Sequence, residues 1–144
     1  MMETEVFLTA TDTTVGFVSQ NAAKLDAIKG RPAHKRYIVA LASFQSLKTR
    51  TRIPPLHRKR VRRARRSTFI LPCGTSYRVI DDRHHRMLME RLGWAYTTSA
   101  NKSGEAYDET FAKAAADVIV APLRPKAAPS SIYKLGKTRY KRIR

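Results

Sequence analysis

The sequence predicts an α+β fold, a mixed β-sheet with helices packed on it. Strand-like and helix-like segments alternate along the chain, more cleanly in the second half, which disfavours a purely parallel doubly wound sheet. Of the 144 residues, 42% are hydrophobic, which at this length supports one core in one domain without disulfides or a structural metal. Neither an internal repeat nor a domain boundary is visible, so residues 1–144 read as a single domain with a strongly basic segment at 48–66.

Glu5-Val6-Phe7-Leu8-Thr9 is β-prone and leads into Thr11-Asp12-Thr13-Thr14-Val15-Gly16, where hydroxyls and a glycine mark a loop at a strand's end. From Asn21 to Lys29 helix formers dominate, with Leu25 and Ile28 three apart, and Gly30 followed by Pro32 stops the helix. Tyr37 to Leu41 is a near-continuous apolar run suited to a buried strand, and Ser43 to Leu47 begins a helical turn. Leu56 to Arg66 has helical character against strong like-charge repulsion. Ser67 to Pro72 and Ser76 to Ile80 are two β-prone runs around a Gly74 turn. Asp81 or Asp82 caps a helix whose apolar positions are Met87, Leu88 and Leu92, with Met89 alongside, and Gly93 ends it. Trp94 to Thr98 is a strand running into the polar loop Ser99 to Gly104. A helix opens at Asp108 or Thr110 and runs through Ala116, followed by a strand over 117–121. Pro122, Pro125 and Pro129 keep the next stretch extended, and short strands near Ser131 to Tyr133 and Arg139 to Arg142 finish the sheet.

Charge narrows the function classes. With 29 Lys+Arg against 11 Asp+Glu the formal net charge is +18, and such a surface attracts polynucleotides, nucleotides or anionic lipid. No acid occurs between Asp26 and Asp81, and none follows Asp117. The single cysteine, Cys73, excludes a disulfide framework and points to a reducing compartment. Met1-Met2-Glu3-Thr4-Glu5 is acidic where an export signal is basic, and no apolar run approaches the ~20 residues of a membrane span. A soluble, cytoplasmic protein without a membrane partner is the expectation.

Three hydroxyl-rich or basic loops fall at strand or helix ends: Thr11 to Gly16, Lys29 to Lys35 and Ser99 to Gly104. Open α/β sheets bind ligands at such places. Lys29 and Arg31, flanking Gly30 and followed by Pro32, fit two readings: an ammonium and a guanidinium presented to one phosphate, or cations satisfying the last carbonyls of a helix. Arg58, Lys59, Arg60, Arg62, Arg63, Arg65 and Arg66 read equally as an RNA contact or as a solvated cationic face. His84-His85, His34 and His57 lack the companions of a metal ligand set, so no metal site is expected. No Walker loop or nucleophile elbow appears, and the acids are too few and scattered to point to a carboxylate pair for hydrolysis. Chemistry resting on cations and hydroxyls suits stabilisation of phosphate charge better than proton abstraction.

Thr11 to Gly16, Lys29-Gly30-Arg31-Pro32 with Lys35 beyond, Ser67 to Leu71, Tyr77-Arg78-Val79, Thr98 to Gly104 and Pro129-Ser130-Ser131-Ile132 occur in the order of the YrdC-like domain. From about Phe7 to Arg144 the chain resembles the threonylcarbamoyl-AMP synthases of that family, and the combination of K-x-R with S-x-N is its most specific mark. The resemblance implies a twisted mixed sheet around a basic cavity. It implies a nucleotidyltransferase that joins L-threonine, bicarbonate and ATP into threonylcarbamoyl-AMP and pyrophosphate, with Mg2+ carried mainly by the ATP phosphates. The product would serve other proteins of the pathway that modifies tRNA with threonylcarbamoyladenosine. By position, Lys29, Arg31, Lys35, Thr68, Ser99 and Asn101 correspond to nucleotide and phosphate contacts, with Lys29, Arg31, Ser99 and Asn101 at the chemistry. Arg144 falls where the family has a late arginine near ATP, and Thr11, Thr97 and Ser130 resemble residues on the threonine side. The chain departs from the family pattern in lacking a helix before the first strand and in its shorter helix before K-x-R. Val15 stands for an expected tyrosine, Ala10 for a proline, and Arg63-Ala64-Arg65-Arg66 for a Trp-Pro-Gly-Pro turn. The competing class is a non-catalytic module gripping double-stranded RNA or tRNA with the cavity and the 58–66 run.

Overall fold

The computed structural model describes residues 4–11, 13–31, 36–80, 82–123 and 130–144. Lys35, Asp12, Asp81, Pro32, His34, Pro125 and Pro129 from the sequence reading lie outside the described residues. Nine strands form one mixed sheet: β1 (Phe7–Ala10), β2 (Val15–Ser19), β3 (Ile38–Leu41), β4 (Ser67–Ile70), β5 (Ser76–Val79), β6 (Trp94–Ser99), β7 (Val118–Val120), β8 (Ser131–Leu135) and β9 (Tyr140–Arg142). Their order across the sheet is β7-β1-β2-β6-β3-β5-β4-β8-β9. Pairs β1–β7, β3–β5 and β4–β8 are parallel and the others antiparallel. The expected class is therefore the observed one.

Strand β2 is the element the sequence hides. The stretch expected to be a loop is a tight turn in which the Thr11 amide donates to the Thr14 carbonyl at 3.0 Å. The chain then reverses, and β2 pairs β1 from Val15 opposite Ala10 to Val18 opposite Phe7. Gly16 belongs to that strand because the sheet has no room for more: a Cβ there would meet the Thr98 carbonyl oxygen at 2.9 Å and the Thr11 methyl at 3.1 Å.

Side chains alternate between the sheet's faces. One face carries Leu8, Phe17, Val39, Leu41, Phe69, Tyr77 and Leu135, packed in two clusters. Helices α1 (Ala22–Lys29), α2 (Phe44–Arg50), α3 (Arg58–Arg63) and α5 (Glu109–Ala115) supply Leu25, Leu47, Val61 and Ala112 to those clusters. Asn21, Ser43 and Asp108 cap α1, α2 and α5 through their side-chain oxygens. The opposite face carries Phe7, Val18, Ala40 and Ala95, covered by Leu88 and Met89 of α4 (Arg83–Leu92). One helix covers only part of this face, and the remainder is open.

Helix α4 is capped by Asp82, whose side chain accepts from the His85 amide. Its buried stripe is His85, Leu88 and Met89, while Met87, expected on the apolar side, is 62% exposed. The stripe turns about one residue from the sequence reading because His85 is buried in place of an aliphatic. Helix α3 stops at Arg63 instead of reaching Arg66, since Ala64 is extended. Arg66 then takes a left-handed φ of 48° to turn the chain into β4.

Both ring nitrogens of His85 are buried without a hydrogen-bond partner. Burial first, then the Arg78 charge, push its pKa down to about 3. The unfolded chain, with an ordinary histidine, binds more protons between about pH 6.5 and 3, so stability falls with acidification across that window. A His85→Leu variant should flatten this acid limb, removing a slope of up to about 1.4 kcal/mol per pH unit; urea unfolding at pH 7, 6 and 5 checks it, and parallel limbs in both proteins would refute it. Gly16→Ala, which must displace a backbone carbonyl, should cost about 1–3 kcal/mol of stability, read as a lowered Tm.

Candidate functional site

The open part of the α4 face holds a cavity of about 310 Å³, within the range of small-molecule sites. It lies where the β1–β2 turn, the segment after α1, and the ends of β5, β6 and β8 converge. Of the residues singled out from sequence, Arg31, Ser99, Arg144, Thr11, Thr97 and Ser130 line it.

Neutral groups hold two of the guanidinium groups, those of Arg31 and Arg144. Arg31 sits 4.4 Å over the Tyr37 ring and donates to the Arg36 carbonyl at 3.3 Å. Tyr37 in turn donates its hydroxyl to Asp26 at 2.6 Å, and burial together with that bond raises its pKa so that it stays a neutral phenol. Arg144 donates from Nε to the Ser130 carbonyl at 2.9 Å and from its terminal nitrogen to Ser130 Oγ at 3.3 Å. Thr68 completes that corner: its hydroxyl lies 2.9 Å from Ser130 Oγ, with Thr68 1% and Ser130 3% exposed. Thr68 thus stands one bond behind the cavity wall.

The β1–β2 turn is a hydroxyl cluster. Thr11 Oγ1 donates to the Thr14 carbonyl and accepts from the Thr13 amide at 3.1 Å. Arg78, buried on β5, donates to Thr13 Oγ1 at 3.1 Å. Arg78, Arg36, Thr13 and Thr14 line the cavity without having been singled out beforehand. Arg78 and the threonines were inside recognised motifs, but a single arginine in a β-run carries no sequence signal of its own. Among the described lining residues there are four arginines and no carboxylate.

Lys29 and Asn101 are placed differently. The Lys29 ammonium, on a residue 4% exposed, donates to the carbonyls of Ser99 at 2.9 Å and Asn101 at 2.7 Å, with Asn101 Oδ1 at 3.4 Å. Its own carbonyl accepts from the Ser103 amide at 3.0 Å. Gly30 ends α1 at φ 65°, allowing the chain to turn from Lys29 toward Arg31. The Ser99 hydroxyl donates to Asn101 Oδ1 at 2.5 Å, and the Asn101 amide donates to the carbonyls of Lys102 and Glu105. Lys29 and Asn101 therefore knit α1 to the loop after β6, the ammonium meeting that loop's carbonyls in place of the last carbonyls of its own helix.

The cations of 58–66 lie on the other face. The side chains of Arg58, Lys59, Arg60, Arg62 and Arg63 are exposed on α3, and Arg65 and Arg66 follow it, also exposed. Only Val61 of α3 is buried, and Arg60 stacks 3.5 Å over Tyr140 of β9. No group of three or more His, Cys, Asp or Glu side chains among the described residues could hold a metal ion.

Burial and the Arg31 charge lower the Lys29 pKa to about 8. Between about pH 8 and 10.5 the unfolded chain binds more protons, so this group's contribution to stability rises with pH there. The unfolding free energy of the protein should gain on that of Lys29→Met from pH 8 to 10, by up to about 1.4 kcal/mol per unit. A constant difference in chemical denaturation would refute the assignment.

No protein-family model matches the chain, and no curated protein matches it by sequence. Solved structures do match. The P. abyssi Sua5 complexed with L-threonine has a TM-score of 0.84 at 20% identity over 97% of this chain, which spans 50% of that protein. Full-length HypF in its phosphate- and nucleotide-bound form gives 0.75 at 18% identity, over 97% of this chain and 26% of HypF. MTH1692 from Methanobacterium thermoautotrophicum gives 0.69 at 19% identity, over 97% of this chain and 79% of the other. The chain thus spans half of Sua5, about a quarter of HypF and most of MTH1692. By these matches this chain has the fold of the Sua5/YrdC proteins.

Proposed function

We propose that the protein is an L-threonylcarbamoyladenylate synthase, the chain acting as a single YrdC-like domain. The observation that carries this is one cavity where Arg31, Arg36, Arg78 and Arg144 converge with threonine and serine hydroxyls and no described carboxylate. Its fold is that of a Sua5 complexed with L-threonine and of a HypF in a phosphate- and nucleotide-bound form, which supports threonine and ATP as ligands.

The chemistry fits a site without a general base. Threonine and bicarbonate give the carbamate and water; the carbamate oxygen is already anionic when it attacks the α-phosphorus of ATP. The new bond is carbamate oxygen to phosphorus, and the bond to the bridging oxygen breaks, releasing pyrophosphate with the electron pair. What this step needs from the protein is positive charge around the transferring phosphoryl group and the leaving pyrophosphate. Arg31, Arg78 and Arg144 on the cavity lining supply it. Thr11, Thr97 and Ser130 offer hydroxyls to the threonine end. Lys29 and Asn101 hold the Ser99 loop and Arg31 in place, while Mg2+ travels on the ATP phosphates. The product would pass to the proteins that complete the tRNA modification, in the cytoplasm.

Purified protein supplied with ATP, Mg2+ and bicarbonate should release pyrophosphate only when L-threonine is added. Arg31→Ala should lower this threonine-dependent rate by more than tenfold, the loss of one charged contact worth about 1.5–3 kcal/mol. Release independent of threonine, or unchanged in the variant, would overturn the assignment.

A further inference from the structure

A second cavity lies through the sheet from the first. Val39 of β3 is the register partner of both Tyr77 of β5 and Tyr96 of β6, so the three side chains stand in a row on one face. Arg78 and Thr97, one residue along, point to the other, where the first cavity lies. The row floors a hollow of about 400 Å³ between α1 and α2, with Tyr37 on one wall and Arg36 and Arg50 at its rim. Arg50 is exposed, and its guanidinium sits 4.5 Å over the ring of Trp94, which packs edge-on to Tyr96 at 5.1 Å.

From Arg50 the hollow continues into a groove carrying Lys48, Arg52 and Arg58, all exposed. No acid occurs in the sequence between Asp26 and Asp81, and the ion pairs among the described residues (Lys24–Asp117, Arg86–Glu90 and Lys113–Glu109) lie elsewhere. Four cations on one groove with no carboxylate among its described lining residues repel one another until an anion with repeated charges is laid across them.

An acidic peptide would satisfy the groove but leaves the tyrosine hollow without a purpose. A nucleic-acid duplex would satisfy the phosphate contacts but keeps its bases stacked inside, out of reach of a recessed aromatic floor. A single strand satisfies both, with phosphodiesters along the cations and an unstacked base against tyrosine rings. We propose that this face binds a single-stranded nucleic-acid segment, one base entering the Tyr37–Tyr77–Tyr96 hollow and its phosphates following Arg50, Lys48, Arg52 and Arg58. The proposal does not rest on the synthase reading. It gives part of the basic segment a ligand on the face away from the phosphate cavity.

Trp94, the sole tryptophan, is a built-in reporter at the hollow's edge. An unstructured oligouridylate of about 12 nucleotides, within the span of known single-strand sites, should change Trp94 emission saturably. Its affinity, followed by anisotropy of a labelled strand, should fall about tenfold in a Lys48→Ala/Arg50→Ala variant, and the log–log salt slope should shrink by about 1.4, at ~0.7 per lost contact. An Arg83→Ala/Arg91→Ala variant, which removes the same charge from exposed positions on α4, should bind as the unaltered protein does. Threonine-dependent pyrophosphate release should be the same in both variants, so a failed synthase assay and a failed binding assay report separately. Equal loss in both variants, binding that leaves Trp94 emission unchanged, or an RNA duplex or polyglutamate matching the strand in affinity and emission change would each overturn the proposal.

Discussion

The buried ammonium of Lys29 is the contact on which the site's geometry depends. It ends α1 and clasps two carbonyls of the loop leaving β6, joining segments some 70 residues apart in sequence. Because Gly30 turns the chain immediately afterwards, Arg31 is delivered to the cavity at a direction fixed by this clasp. The cost is desolvation of a charge, visible in its lowered pKa, and the carbonyl bonds offset that cost only in part. The contacts given for this ammonium are those carbonyls and Asn101 Oδ1, so its charge is spent on joining α1 to the loop after β6.

Neutral partners hold two of the cavity's guanidinium groups. Arg31 leans on a phenol ring and a backbone carbonyl, and Arg144 on Ser130. Such partners orient a guanidinium without cancelling its charge, whereas a carboxylate would do both. The Asp26 carboxylate is bonded to the Tyr37 hydroxyl, so its influence reaches Arg31 through an uncharged ring. A site organised this way holds its positive potential until a polyanionic ligand arrives, and that is the electrostatic condition for stabilising charge on phosphate oxygens.

Periodicity and caps made most of the fold legible in the sequence. Asn21, Ser43 and Asp108 were readable as helix starts, and Tyr37 to Leu41 as a buried strand, because local chemistry and tertiary environment agree there. Strand β2 was hidden because its glycine marks a turn in isolation; only the Thr98 carbonyl of a strand some 80 residues away explains why nothing larger stands at Gly16. Met87 and His85 exchanged roles because hydropathy ranks methionine inward and histidine outward, while α4's rotation is set by what packs around Ala40 and Ala95. In the site, ordered motifs led to Arg31, Ser99, Ser130 and Arg144. Arg36 and Arg78 required the register, since nothing in a β-run says which face a residue takes until its partner strands are known.

Register also explains how one short strand serves two cavities on opposite faces of the sheet. Tyr77 and Arg78 are adjacent in sequence and point to opposite sides of the sheet, so one strand furnishes an aromatic floor to one cavity and a cation to the other. Tyr96 and Thr97 repeat the arrangement on β6. Arg36 and Tyr37, leading into β3, line both hollows, so the two faces meet at this pair of residues, which alternation along the strand alone would assign to one face each.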